Sequence, residues 1–193
     1  MKEKQKMKLT QTNRQTANML TKNFTTMGDF DVIISIVCPD DDSIKPINEN
    51  HLVVKMWDID KPLENKFRKY EPPSYEDCSK VIKFIDSYIY KNRKTDIRIL
   101  VHCDAGISRS SAIALGILWR YSSNIFDSIT IREGYWLHEY FRVRKEYCAS
   151  LVDTNNGSHF LKWYVEGKNL MRGVKPNPAI LQNFRNMWAN FPW

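Results

Sequence analysis

The sequence predicts an α/β fold in which a central, mostly parallel sheet is flanked by helices and the C-terminal half of the chain is helical. The first observation is a set of short apolar runs rich in Val and Ile, typical of strands buried on both faces of a parallel sheet. The second is the alternation of these runs with helical patterns, since alternating strands and helices form a sheet covered by helices. The third is that 193 residues without an internal repeat or a Gly- or Pro-rich linker indicate a single domain, residues 1–193.

The first third of the chain contains three predicted strands and one predicted helix. Residues 8–10 form a short first strand, and residues 13–23 open a polar helix. The β-branched run DVIISIVC at 31–38 predicts a buried strand that ends at Pro39 and three aspartates. The run HLVVKMW at 51–57 predicts the next strand, which ends at an acidic loop.

The middle of the chain continues this alternation. Ser74 is a good N-cap, and the helix after it carries an apolar stripe at three- and four-residue spacing, formed by Cys78, Val81, Ile82, Ile85 and Ile89. Residues 98–101 predict a short strand, and residues 110–121 predict a buried helix. The rest of the chain is helical in tendency, with a last helix that opens at residues 175–177.

Composition excludes some classes of protein and leaves the partner open. The net charge of +7, from 29 Lys and Arg against 22 Asp and Glu, fits nucleic acid, an anionic membrane surface or a phosphorylated substrate. No apolar stretch approaches the roughly 18 residues of a membrane span, so we expect no such span. The start of the chain lacks the apolar core of a secretory signal, which predicts a cytoplasmic protein. Residues 1–7 are rich in lysine and are expected to form a flexible basic terminus.

The four cysteines do not form a recognisable metal or disulfide framework. They stand at positions 38, 78, 103 and 148, and no pair has the CxxC spacing of a zinc site. We therefore expect free thiols and no metal site at the cysteines. The acidic turn at residues 40–42 is interpreted as solvated, with a cation site as the alternative.

One turn carries the residue types of a reactive anion site. It reads VHCDAGISRSS over residues 101–111, between a predicted strand and a predicted helix. Such a loop points successive backbone N–H groups at one spot, and the helix N-terminus adds its positive dipole end. Arg109 can bind two phosphate oxygens, and Gly106 allows a backbone conformation that a side chain would obstruct. The same field favours the thiolate form of Cys103, which predicts nucleophilic attack on phosphorus.

The block from Leu100 to Ser111 resembles the signature HCxxGxxR[ST] of the cysteine-dependent protein tyrosine phosphatases. Its form HCxAGISRS is most similar to dual-specificity and related small phosphatases, and the similarity to small bacterial-type members extends over residues 30–121. The resemblance implies a phosphatase-like α/β domain. Residues 122–150 show no match and are interpreted as an insertion.

The resemblance also implies a role for each residue of the turn. Cys103 is the nucleophile that forms a phosphocysteine, and Arg109 binds the phosphate and its transition state. Ser110 donates to the departing sulfur, and His102 orients the loop and tunes the thiolate. The loop that holds the phosphate comprises Asp104, Ala105, Gly106, Ile107, Ser108 and Arg109. No metal and no cofactor is implied.

Two further roles are implied with their alternatives. The family takes its general acid from an aspartate after an earlier strand, and here Asp58 is favoured over Asp60 because it directly follows the apolar run. Cys38, at the end of another strand, is a candidate redox partner for Cys103, as in some phosphatases of the superfamily; the alternative is a buried thiol.

The function expected from these features is hydrolysis of phosphomonoesters. The resemblance favours a protein tyrosine or dual-specificity phosphatase, whose partner is a phosphorylated protein carrying phosphotyrosine or also phosphoserine and phosphothreonine. Alternatives are a phosphoinositide phosphatase, which the absence of lysines in the loop disfavours, and an RNA 5′-phosphatase, which the positive charge keeps open. A non-catalytic module that binds phosphoproteins is the alternative from another class, and the complete set of catalytic residue types argues against it.

Overall fold

The computed structural model describes residues 6–93, 96–121 and 176–189. Its central sheet has four parallel strands, and a small antiparallel hairpin lies apart from it. In chain order the strands are β1 (Lys6–Asn13), β2 (Val32–Val37), β3 (His51–Lys55), β4 (Leu63–Glu64), β5 (Lys69–Tyr70) and β6 (Asp96–Cys103). The helices are α1 (Arg14–Leu20), α2 (Tyr75–Asn92), α3 (Arg109–Tyr121) and α4 (Pro178–Ala189). The predicted fold class, a parallel sheet flanked by helices, is confirmed.

The sheet has the order β1-β6-β2-β3, so β6 and β2 are central and all four strands end at the same edge. All six residues of β2 are buried, as expected for a strand covered on both faces. Since side chains alternate along a strand, one face of the sheet packs against α2, α3 and α4, and the other face packs against α1 and the segment after it. Cys103 belongs to the first face and its neighbour His102 points to the second.

Helix α2 begins where the sequence predicts. The hydroxyl of Ser74 accepts from the backbone N–H of Asp77, and the Asp77 carboxylate accepts from the backbone N–H of Ser74, which completes a capping box. The predicted stripe is buried at Cys78, Val81, Ile82 and Ile85, with Ile89 packed against the core. This helix carries the chain from the edge strand β3 back to the central strand β6.

The largest differences from the sequence prediction concern β1 and the hairpin β4–β5. Strand β1 is longer than residues 8–10, and it includes Lys6 and Met7 of the predicted flexible terminus, which pair with Asp96 and Ile97. The hairpin β4–β5 was not predicted because each of its strands has only two residues, largely polar and exposed. The predicted insertion at 122–150 and residues 1–5 lie outside the described residues. Within the described part of the chain, no helix is both long and apolar enough to cross a membrane.

Candidate active site

Cys103 lies at the end of the central strand β6, at the edge where all four parallel strands finish. Its side chain is almost fully buried, and its Sγ lies 3.2 Å from Oγ of Ser110 in the first turn of α3. A strand that ends directly before a helix N-terminus therefore brings a thiol and a hydroxyl into hydrogen-bond distance.

The loop between β6 and α3 depends on Gly106. This glycine has a φ of +70°, in the left-handed region, and an added Cβ would lie 2.7 Å from the backbone nitrogen of Asn13. The loop thus packs directly on the end of β1. The backbone N–H groups of residues 105–108 donate no hydrogen bond to another described residue, and this leaves them available for an anion.

Arg109 begins α3 and turns its guanidinium into the site. It is buried, and its Nη1 donates to the backbone oxygen of Met56 at 3.1 Å while its Nη2 donates to Asp104 at 2.8 Å. Its Nε has no hydrogen-bond partner among the described residues and lies 3.8 Å from the Asp58 carboxylate. Burial works against the charge, but Cys103 and the carboxylates outweigh it and raise the pKa of Arg109 above its ordinary value. This arginine is therefore a fixed cation at the loop.

The structure places Asp58 at the loop and Asp60 away from it. Oδ1 of Asp58 accepts from the Ser108 hydroxyl at 2.5 Å and from the Asn177 side-chain amide at 3.1 Å, and Oδ2 faces Arg109. Asp60 is exposed and makes no hydrogen bond or ion pair to another described residue. Of the two candidate acids, only Asp58 contacts the loop that holds Cys103.

The sequence predicts a last helix that opens at residues 175–177 but indicates no role for Asn177 in the site. Its side chain caps α4 by accepting from the backbone N–H of Ile180, and its own backbone N–H donates to the carbonyl of Ser108. The pair Asn177 and Pro178 is a recognisable start signal for a helix, so the cap could have been found. The contact with Asp58 could not, because it joins residues distant in sequence.

The carboxylate of Asp104 also contacts the guanidinium of Arg109. It accepts from Nη2 of Arg109 at 2.8 Å and from Nη2 of Arg14 at 2.6 Å. Arg14 in turn pairs with Asp41, and its backbone N–H donates to the carbonyl of Asp104. A phosphate that binds Arg109 therefore shares this cation with a carboxylate of the loop itself.

His102 belongs to a buried chain of hydrogen bonds on the other face of the sheet. The Ile47 N–H donates to Nδ1 of His51, so the neutral ring of His51 carries its proton on Nε2, 2.7 Å from Oγ of Ser35. The Ser35 hydroxyl then donates to Nε2 of His102 at 2.6 Å, and Phe24 stacks on both rings. Burial lowers the pKa of His102 to about 3 and that of His51 to about 4, so both rings are neutral at pH 7.

Cys38, the predicted redox partner, also lies beside the arginine. Its Sγ is 3.6 Å from Nη1 of Arg109, and it is a free thiol like Cys78 and Cys103. Cys78 differs because burial raises its pKa to about 12, which makes it an inert core residue. The fourth cysteine, at 148, lies outside the described residues.

The three aspartates after β2 each contact a different cation. Asp40 pairs with Arg68, Asp41 with Arg14 and Asp42 with Lys55. Their carboxylates are therefore spread among three partners instead of converging on one point. Among the described residues, no group of three or more His, Cys, Asp and Glu side chains could hold a metal ion.

The solved structures that are similar to the chain include the following two. The phosphatase domain of Yvh1 from Chaetomium thermophilum matches with 15% identity and a TM-score of 0.49, over 98% of this chain and 94% of that one. The human tyrosine phosphatase-like serine/threonine/tyrosine-interacting protein matches with 15% identity and a TM-score of 0.44, over 92% of this chain and 85% of that one. No protein-family model matches the chain, and no curated protein does.

Proposed function

We propose that the protein is a cysteine-dependent phosphatase that hydrolyses phosphomonoesters on proteins. The observation that carries this proposal is the meeting of a buried thiol, a buried arginine and a carboxylate around one loop, whose backbone N–H groups at 105–108 have no partner in the part of the chain that the structure describes. The sequence resemblance to tyrosine and dual-specificity phosphatases supports the same conclusion. The proposed partners are intracellular proteins that carry phosphotyrosine, with phosphoserine and phosphothreonine as further substrates.

The first step transfers the phosphoryl group to Cys103. The loop N–H groups and Arg109 bind the phosphate oxygens, where charge-assisted hydrogen bonds are strong. The Cys103 thiolate attacks phosphorus, an S–P bond forms and the P–O bond to the substrate breaks. Asp58, in its protonated form, gives its proton to the departing oxygen.

The second step returns the enzyme to its starting state. Water attacks the phosphorus of the phosphocysteine, and the Asp58 carboxylate takes the proton of that water. The S–P bond breaks with its electron pair on sulfur, and inorganic phosphate leaves. The Ser110 hydroxyl, 3.2 Å from Sγ, donates to the sulfur as it gains negative charge.

The loop chemistry favours a protein over a polyanionic substrate. None of the side chains at the variable positions of the loop is basic, and Asp104 adds a negative charge beside Arg109. A phosphoinositide or an RNA 5′ end carries several phosphates, so it would meet this carboxylate at close range. A single phosphate on a side chain needs only the loop and Arg109.

The decisive experiment measures phosphate release from three substrate classes with wild type and Cys103→Ser. We expect wild type to release phosphate from phosphotyrosine peptides and Cys103→Ser to bind the same peptides without turnover. Turnover of 5′-phosphorylated RNA or phosphoinositides in preference to peptides would instead support those alternatives. Binding of phosphopeptides by wild type without any turnover would identify a binding module.

A further inference from the structure

Gln11 lies beside the loop between β6 and α3, although sequence analysis assigned it no role. It is fully buried in β1, opposite Val101 and two positions before the level of Cys103. Its Nε2 lies 2.8 Å from the backbone oxygen of Gly106 and 2.8 Å from Oγ of Ser110. One amide group therefore contacts both the loop and the hydroxyl that faces the thiol.

The chemistry of these partners fixes the orientation of the amide. The Gly106 carbonyl can only accept, so the NH₂ group of Gln11 must face it, since the amide oxygen would meet another acceptor there. The second N–H of the same nitrogen points to Oγ of Ser110 and donates to it. Burial keeps water from replacing either contact.

This orientation determines where the Ser110 proton lies. Because Oγ accepts from Gln11, the hydroxyl hydrogen points away from the amide, and when Cys103 is a thiolate its Sγ, 3.2 Å away, can only accept that hydrogen. The Ser110 hydroxyl is then a donor to sulfur before the reaction begins. Such a preset donor costs no reorganisation when the sulfur becomes negative.

We propose that Gln11 is a positioning residue that aims the Ser110 hydroxyl at Cys103 and so speeds breakdown of the phosphocysteine. The inference rests on the proposed phosphatase function and adds a residue to it. Formation of the phosphocysteine depends on the thiolate, the loop and the acid, whereas its breakdown regenerates a thiolate that needs a donor. Gln11 therefore acts mainly on the second step.

Rapid-mixing kinetics with an aryl phosphate separate the two steps. Gln11→Met removes the amide at similar volume. We expect kcat to fall about tenfold, which is the loss in rate expected when one charge-assisted hydrogen bond is misdirected. The rate of the initial burst should change much less, and phosphate should accumulate on Cys103. The matched control is Thr12→Val, a neighbour that is equally buried and whose hydroxyl has no partner among the described residues.

Two further variants keep the test decisive. Gln11→Asn keeps a buried amide but shortens its reach, so it should also slow breakdown of the phosphocysteine. It replaces Gln11→Met in the test if Gln11→Met does not fold. In a Ser110→Ala background, Gln11→Met should have no further effect on kcat, because it acts through that hydroxyl. Equal kcat and burst in wild type and Gln11→Met, or an equal loss in Thr12→Val, would overturn the role of Gln11. If wild type forms no phosphoenzyme at all, the proposed function itself fails.

Discussion

The side-chain amide of Asn177 donates a hydrogen bond to the Asp58 carboxylate at 3.1 Å, across 119 residues of sequence. Its backbone N–H also donates to Ser108, whose hydroxyl bonds to the same carboxylate oxygen. The start of the last helix thus holds the proposed acid against the loop. Positioning of this kind matters because a displacement of about 1 Å can reduce a rate roughly 100-fold.

Replacing Asn177 should therefore loosen the acid without removing it. In Asn177→Ala we expect kcat with a phosphotyrosine peptide to fall about tenfold, less than for loss of Asp58 itself. The control is Asn183→Ala in the same helix. This variant removes the hydrogen bond that the Asn183 side-chain amide donates to the carbonyl of Pro73. An equal loss in both variants would mean that α4 needs its tethers only for stability.

The choice between Asp58 and Asp60 has its own test. Asp58→Ala should lower kcat by about 100-fold or more and abolish the fall in rate that deprotonation of the acid produces at higher pH. Asp60→Ala should leave both nearly unchanged, since Asp60 makes no contact with the loop among the described residues. The assignment is wrong if Asp60→Ala, and not Asp58→Ala, removes that limb of the pH profile.

The strand ends were predictable from the sequence, and so was the turn with its cysteine and arginine. Buried parallel strands read as continuous Val and Ile runs, and the edge where they stop is where ligands bind. This reasoning placed Asp58, Cys103 and Arg109 at one edge, and the structure places all three there.

Residues of β1 and β3 were harder to find because they are polar and buried. Gln11 and His51 break the apolar pattern, so sequence reasoning treats such residues as exposed. Their partners, Ser110 and Ser35, lie on other strands or helices and are joined to them by the fold. Only the paired register of the sheet reveals that these polar groups hydrogen-bond to one another.

Asp104 should weaken phosphate binding, because its carboxylate competes for Arg109. In Asp104→Asn we expect inorganic phosphate to inhibit at a concentration several-fold lower, an effect on the order of one exposed charge interaction. Asp42→Asn is the matched control, since Asp42 is exposed and pairs with Lys55. If both variants bind phosphate as wild type does, the carboxylate of Asp104 does not compete.

The position of Cys38 beside Arg109 allows a test of the predicted redox pair. Peroxide would oxidise the Cys103 thiolate to a sulfenic acid and release hydroxide, and the Cys38 thiolate would then attack that sulfur and expel a second hydroxide to form a disulfide. We expect mass spectrometry after mild peroxide to find this disulfide and thiol reductant to restore activity. Cys38→Ser should instead lose activity irreversibly. Sulfinic acid on Cys103 in wild type without the disulfide would exclude the pair.

The buried histidines should make the fold sensitive to mild acid. In the folded protein the pKa values of His51 and His102 are about 4 and about 3, below the value of about 6.5 expected in an unfolded chain. The unfolded chain therefore binds more protons as the pH falls below about 6.5, so the stability present above that pH is lost on acidification towards pH 4. Urea unfolding at about pH 7 and about pH 5 should show a lower free energy of unfolding at the lower pH.

Two variants distinguish titration from a general loss of stability. His51→Gln removes one titrating group, so its free energy of unfolding should depend less on pH over the same interval. Ser35→Ala breaks the hydrogen bonds to both rings but leaves both histidines buried, so it should be less stable at each pH with the slope retained. If His51→Gln keeps the full wild-type slope, the pH dependence arises elsewhere in the chain. If the free energy of unfolding depends less on pH in His51→Gln but not in Ser35→Ala, protonation of the buried His51 ring causes the sensitivity to acid.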